Sequence, residues 1–268
     1  MLQIADNFVD EGKWSDAILQ YYEYIYRYPD GVVVPNIYIK LSSIYKELGQ
    51  IDLARDYLQK VIDEHPDESV ELECRLRLGV LMFKSADYKG SFDYSLEYSE
   101  FPFKIILAYS LIGMEEVELA DSLLRAVNNE ADYRSANLLK LIDALNTLPT
   151  VGWIKKYGSI ALSAVIPGAG RIIYGEHWNA LFTFSGFTGL GLATSVIKSS
   201  NPDLYYYPAT ALILYYSGNI YSTYASFKRY EANLRRDYIL TLFDEYPLEE
   251  LLYLTNPLND KISLKKTS

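Results

Sequence analysis

The sequence predicts an all-α chain in two parts, a solenoid of helical hairpins followed by a helical hairpin of membrane type. Three observations predict it. A glycine, small-residue and proline pattern recurs at fixed spacing; apolar residues ahead of each glycine fall at helical intervals; and two stretches, 178–197 and 204–227, carry no charge at all. The expected boundaries are 1–148 for the solenoid, 149–240 for the hairpin region and 241–268 for a C-terminal tail.

The repeat comes first. Gly12, Trp14, Ala17, Tyr21, Tyr24 and Pro29 match Gly49, Ile51, Ala54, Leu58, Val61 and Pro66 step for step, a period of 37 residues. Glycine suits a tight turn that needs a left-handed backbone, and alanine suits a close helix approach. Proline ends the second helix because its ring clashes with the preceding turn. Ile4 and Phe8, then Tyr38, Leu41 and Tyr45, give the first helices their apolar face. A third copy, with Leu78, Gly79, Tyr88, Ser91 and Pro102, is weaker, and a fourth, with Gly113 and Ala120, carries two extra residues between them. A closing helix is expected within 132–149, stopped by Pro149. On these residues the first part resembles the tetratricopeptide repeat, lengthened from about 34 residues by the GVVVP connection at 31–35. That resemblance implies a groove that takes a protein or peptide partner, lined by Asp6, Asp10, Ser43, Lys46, Glu47, Phe83 and Lys84. The set lacks the basic and amide array used to grip a C-terminal carboxylate.

The two uncharged stretches are 20 and 24 residues long, and about 20 helical residues cross a hydrocarbon layer of about 30 Å. KSSNPD, 198–203, is the turn between them, and Trp178 and Tyr205 to Tyr207 stand where aromatic side chains anchor at headgroups. Ser185, Gly189 and Ala193 on one stretch, and Gly218, Ser222 and Ser226 on the other, recur every four residues as stripes for close packing. Asn219 is expected to bond across the hairpin, to Ser185 or Thr188. The alternative is a hairpin buried as a core or dimer interface of a soluble all-α protein.

Ahead of the hairpin lies SAVIPGAGRIIYGEHWNALF, 163–182. A dinucleotide loop needs G-x-G-x-x-G and a phosphate loop needs G-K-[ST]; Gly168, Gly170 and Gly175 fit neither. The helix expected over 157–166 is too short to span, so the stretch reads as a re-entrant or interfacial turn built on Pro167, Gly168, Gly170, Arg171, Tyr174 and Gly175. P-G-A-G-R-I-I-Y-G-E, 167–176, is similar to the P-G-x-G-Q-x-Y-x-G-[RK] signature of small bacterial membrane domains of uncharacterised function. YYSGNIYSTYASFKRYEAN, 215–233, resembles the second helix and exit of the same domains. Arg171 and Glu176 depart from that signature. The resemblance implies a bacterial membrane location and envelope-related work, not a reaction.

Charge narrows the function classes. Residues 1–150 hold 26 acidic against 14 basic side chains, a net of −12, and residues 151–268 hold 9 against 11, a net of +2. An acidic solenoid repels phosphate backbones, so no nucleic-acid partner is expected. Lys155, Lys156, Lys228, Arg229, Arg235 and Arg236 gather where both hairpin ends emerge, which by the positive-inside bias makes the repeats cytoplasmic. If a signal peptide was removed ahead of Met1, the repeats are periplasmic instead. His65, His177 and Cys74 are too scattered for a metal or Cys/His site, so no enzyme, cofactor or metal is expected. After Phe227 an amphipathic stretch places Tyr230, Leu234, Tyr238 and Leu242 on one face. The expected function is a membrane-anchored adaptor or scaffold, with membrane lipid and a protein as partners, in bacterial envelope protein biogenesis. A lipid-handling enzyme or small channel would need two convergent ionisable residues in the apolar half, which the sequence barely offers.

Overall fold

The computed structural model describes residues 1–65, 68–129 and 136–259, and these are all-α, with no strand among them. The chain divides into two compact units, Met1–Asn146 with Leu242–Ser268, and Thr147–Thr241. Pro66, part of the expected closing helix (132–135) and the last residues of the tail (260–268) lie outside the described residues.

The first unit is a stack of hairpins. They are α1 (Leu2–Asp10) with α2 (Trp14–Arg27), α3 (Val34–Glu47) with α4 (Ile51–Glu64), α5 (Glu68–Lys84) with α6 (Tyr88–Ser95), and α7 (Phe101–Gly113) with α8 (Val117–Asn129), closed by α9 (Ala136–Leu145). Each helix packs on the next, as a tetratricopeptide-like solenoid requires.

All four hairpin turns use one backbone device. Gly12, Gly49, Ala86 and Glu115 sit at φ of 69°, 73°, 61° and 65°. At each, two amides reach back to the carbonyls of the ending helix, as Gly12 N to Val9 O at 3.0 Å and Lys13 N to Phe8 O at 2.8 Å. This is the Schellman pattern, which satisfies the last carbonyls of the helix. Five residues after each turn stands Ala17, Ala54, Ser91 or Ala120, every one fully buried. The third and fourth copies therefore turn at Ala86 and Glu115, not at Gly79 and Gly113, and the two-residue excess expected in the fourth disappears. Glycine has another duty at those two sites. Gly79 lies inside α5 beneath Ile106, and a Cβ on Gly113 would collide with the Tyr88 ring.

The core of this unit is aliphatic and aromatic and includes a buried ion pair. Lys40 Nζ donates to Asp6 Oδ1 at 2.7 Å and Tyr21 OH donates to the same oxygen at 2.6 Å, tying α1, α2 and α3 together. Burial, reinforced by the bond to Asp6, pushes the Tyr21 hydroxyl well above its ordinary pKa. Cys74 is buried, and that burial pushes its thiol up to about 12, which leaves it inert at neutral pH.

The second unit holds α10 (Trp153–Val165), α11 (Ala169–Ile172), α12 (His177–Ser200) and most of α13 (Tyr206–Glu245). The second uncharged stretch and the amphipathic run after it form one unbroken helix of 40 residues. α10 begins four residues before the expected start at 157. Beyond α13 the chain adds α14 (Leu248–Leu251), which packs on α7 in the first unit.

Candidate functional site

The first candidate is a cleft in the repeat unit. α3 supplies Ser42, Ser43 and Lys46, α5 supplies Arg77, Val80, Leu81 and Lys84, and α14 with the residues after it supplies Glu249 and Leu254. Arg77 and Lys84 stand seven residues apart, two turns of α5, so both point the same way. The C-terminal segment closes one wall. Phe243 packs at 4.9 Å from Phe83 and 5.7 Å from Tyr109, and Tyr109 OH donates to Tyr246 O at 2.7 Å. Lys84 Nζ pairs with Glu249, and Arg77 Nη2 donates to Thr255 O at 2.9 Å. A left-handed Tyr253, φ 54°, ends α14 and turns the chain so that Leu258 packs on the α1–α5 core.

Of the residues expected in the groove, Ser43, Lys46 and Lys84 meet in this cleft, and Glu47 is exposed at its edge, paired with Lys46 at 3.3 Å. Asp10 is exposed at the end of α1. Asp6 and Phe83 are interior groups rather than surface ones. Asp6 is committed to Lys40 and Tyr21, and Phe83 is stacked among Tyr88, Tyr109 and Phe243. Sequence reasoning missed Arg77, Glu249 and Leu254. The signals were there: Arg77 shares the helical phase of Lys84, and Leu248, Leu251 and Leu252 have the spacing of a short amphipathic helix.

The second candidate is the turn at 167–176, which brings Pro167, Gly168, Gly170, Arg171, Tyr174 and Gly175 into one polar knot. Gly168, at φ 88°, donates its amide to Asn219 Oδ1 at 2.9 Å, and Asn219 Nδ2 donates to Ser163 O at 2.9 Å. Gly170 N donates to Ser163 Oγ at 3.0 Å, and Thr223 Oγ1 donates to that same hydroxyl at 2.8 Å. Both glycines are obligatory. A Cβ on Gly168 would strike the Ala180 carbonyl, and one on Gly170 the Ser159 carbonyl. Tyr174 OH bonds Ser159 Oγ at 2.6 Å, and its ring lies 5.5 Å from Tyr230. Gly175, φ 79°, closes α11 with the Schellman pattern of the repeats, its amide on Ile172 O and that of Glu176 on Arg171 O.

Arg171 and Glu176 both have work here. Arg171 donates to Ser222, and Glu176 accepts from Arg229 at 2.7 Å, Ser226 at 2.9 Å and Asn179 at 3.0 Å. Glu176 is thus answered by an arginine on α13.

The small stripes do not meet. Ser185, Gly189, Ala193 and Gly218 are exposed, and a Cβ on Gly189 or Gly218 would find no atom within 4 Å. Asn219 bonds to the turn, not to Ser185 or Thr188, because α12 and α13 touch elsewhere: Gly186 lies under the Tyr215 hydroxyl, and Phe187 packs 5.9 Å from Tyr216. An open groove lies between the helices, walled by Leu190, Ala211 and Leu214 and bordered by Arg171 and Ser222.

Apolar surface faces outward in this unit. Of the most apolar window of α12 only 11% is buried, and Trp178, Phe182, Leu192 and Val196 are each more than 60% exposed. Among the described residues α12 is the one helix long and apolar enough to cross a membrane. The stretch 204–227 falls short, since its seven tyrosines lower its hydropathy. Lys155 lies 4.0 Å from the Tyr230 ring and Lys156 5.1 Å from Phe227, so α10 adds its two cations to the basic exit of α13.

Residues 38–68 match the tetratricopeptide repeat, a span that covers most of α3 and all of α4. No curated protein and no solved structure matches the chain.

Proposed function

We propose that the chain is a membrane-anchored adaptor whose repeat unit holds a protein partner and whose second unit embeds in a lipid bilayer. The repeat match supports reading the first unit as a protein–protein interaction scaffold, a kind of module that is generally non-catalytic. One observation carries the membrane half: α12 exposes its apolar surface instead of burying it. A core helix of a soluble domain passes the same length and composition test but is mostly buried, as a large exposed apolar patch in water is costly. In this reading α12 and α13 insert as a hairpin. α10 and the turn at 167–176 form the re-entrant entry, and the irregular backbone is tolerated because Asn219 and Ser163 accept from its amides, with Thr223 donating to the Ser163 hydroxyl.

The basic residues Lys155, Lys156, Lys228 and Arg229 then stay on the side that holds the repeats, which is the cytoplasmic side for an unprocessed chain. Work in bacterial envelope protein biogenesis follows from the likeness of the 167–176 motif to small membrane domains of that setting. Partitioning tests the reading. After carbonate washing, the full-length chain stays in the membrane pellet and is released by detergent; recovery in the soluble fraction as a monodisperse dimer, with no labelling by lipid-phase probes, would support the second reading, a soluble α protein that pairs through this hairpin.

A further inference from the structure

We infer that the α3–α5 cleft is a peptide site already filled in cis: residues 248–259 of this chain are its resident ligand, and the partner is an acidic segment with the same pattern, a glutamate followed five residues on by leucine. The inference rests on the reading of the repeats as a partner-binding unit and adds the chemistry of the partner.

The seated segment shows what the cleft reads. Lys84 takes the Glu249 carboxylate, Arg77 takes the main-chain carbonyl of Thr255, Leu254 enters the cleft beside Leu58, Val80 and Leu81, and Leu258 reaches the core. One charge, one backbone carbonyl and two leucines form a recognition pattern along a short helix and the turning residues after it. Peptide sites commonly divide recognition in this way, with apolar anchors supplying affinity and a charge setting register. Lys84 is the cation given to the ligand's acid, while Arg77, also held by Glu73, and Lys46, also paired with Glu47, stand beside it.

The fit is incomplete, which makes the segment displaceable. Glu249 Oε2 is buried without a hydrogen-bond partner. An unsatisfied buried oxygen costs free energy, so a partner segment that places its carboxylate better gains what the resident ligand forgoes. The connection permits exchange as well. Phe243, Leu242 and the buried Leu248, Leu251 and Leu252 of α14 hold the start of the segment in the core, while the residues from Leu254 onward carry the Arg77 and leucine contacts.

Competition between cis and trans ligands gives the test. The probe is a fluorescent synthetic peptide of residues 246–259, YPLEELLYLTNPLN. It is titrated against the full chain in detergent and against the full chain carrying Leu254→Asp and Leu258→Asp, with helical content checked by circular dichroism. A resident ligand lowers apparent affinity by the fraction of empty cleft, so the variant binds the peptide about tenfold or more tightly than the wild type. Adding Lys84→Glu to that variant weakens binding by a similar factor, and a peptide carrying Glu249→Lys recovers it. Equal affinity for the two chains, or no saturable binding to the variant, overturns the inference. If the leucine variant does not fold, Lys84→Glu alone in the full chain decides: amide exchange at Tyr253 and Leu254 quickens about tenfold if the segment is docked through Lys84, and unchanged exchange overturns the inference. A negative result leaves the membrane reading untouched, since carbonate extraction reports on the other unit.

Discussion

The two units sort their residues in opposite ways. In the repeat unit the buried set is aliphatic and aromatic, with polar exceptions such as Asp6, Lys40 and Ser91 that are bonded to one another or to backbone. In Thr147–Thr241 the described buried residues include six polar side chains, Ser159, Ser163, Thr183, Asn219, Thr223 and Ser226, against four hydrophobic ones, Tyr174, Ala180, Phe227 and Ile239. Many of its large apolar side chains, Trp178, Phe182, Leu192 and Val196 among them, are outside. Water drives the first arrangement, because burying apolar area is favourable only where the alternative is aqueous. The second suits a solvent in which apolar exposure is free and unsatisfied polar groups are expensive. Both units nevertheless share the left-handed turn with paired back-bonds, at Gly12 in one and Gly175 in the other. Backbone chemistry is common to the units, and side-chain sorting is not.

Five substitutions, one of them with a compensating second change, sharpen that contrast. The largest effect is expected at the ion pair. Lys40→Met takes the cation from the buried Asp6 carboxylate and costs about 3–5 kcal/mol, read as a lower urea midpoint for the repeat unit, while Lys40→Met with Asp6→Leu recovers most of it. Next is the knot of the second unit. Gly170→Ala pushes a methyl into the Ser159 carbonyl and costs about 1–3 kcal/mol of thermal stability in detergent. Gly189→Ala, in open space on α12, costs nothing and gains up to about 1 kcal/mol. A loss at Gly189 equal to that at Gly170 would mean the small stripe is packed after all. Asn219→Leu removes the partners of Gly168 N and Ser163 O and costs about 1–3 kcal/mol, with faster amide exchange at Gly168 as its signature. The smallest effect is at Glu115, held left-handed at φ 65°. Glu115→Gly relieves roughly 1 kcal/mol of strain, offset in part by glycine's extra freedom when unfolded, so the melting temperature rises slightly or stays level.

Much of this was legible in the chain. Gly12 and Gly49 announce their turns because only glycine adopts that backbone without strain, and Ala17 and Ala54 announce the close approaches. The fourth turn was misplaced, and the third left unmarked, because tertiary packing holds Ala86 and Glu115 in the same conformation, while Gly79 and Gly113 serve contact instead of turning. Pro167 to Gly175 was readable as a special turn, but its partners were not. Asn219 and Ser163 are 56 residues apart, and no local pattern tells which hydroxyl a buried amide will meet. The cleft was half legible: Lys46 and Lys84 lie on helices the repeat predicts, whereas the wall bearing Glu249 comes from the far end of the chain.

Whether the second unit is sorted for lipid can be read from tryptophan quenching. Trp14 packs against the repeat core, and Trp153 and Trp178 are 71% and 73% exposed. The full chain, carrying one tryptophan at a time, is reconstituted into vesicles with brominated acyl chains, and Leu192→Trp reports from the middle of α12. Strong quenching is expected at 192, weaker quenching at Trp153 and Trp178, and none at Trp14. Equal, negligible quenching at all four, with the protein floating free of the vesicles, would mean that the apolar face of α12 does not meet lipid.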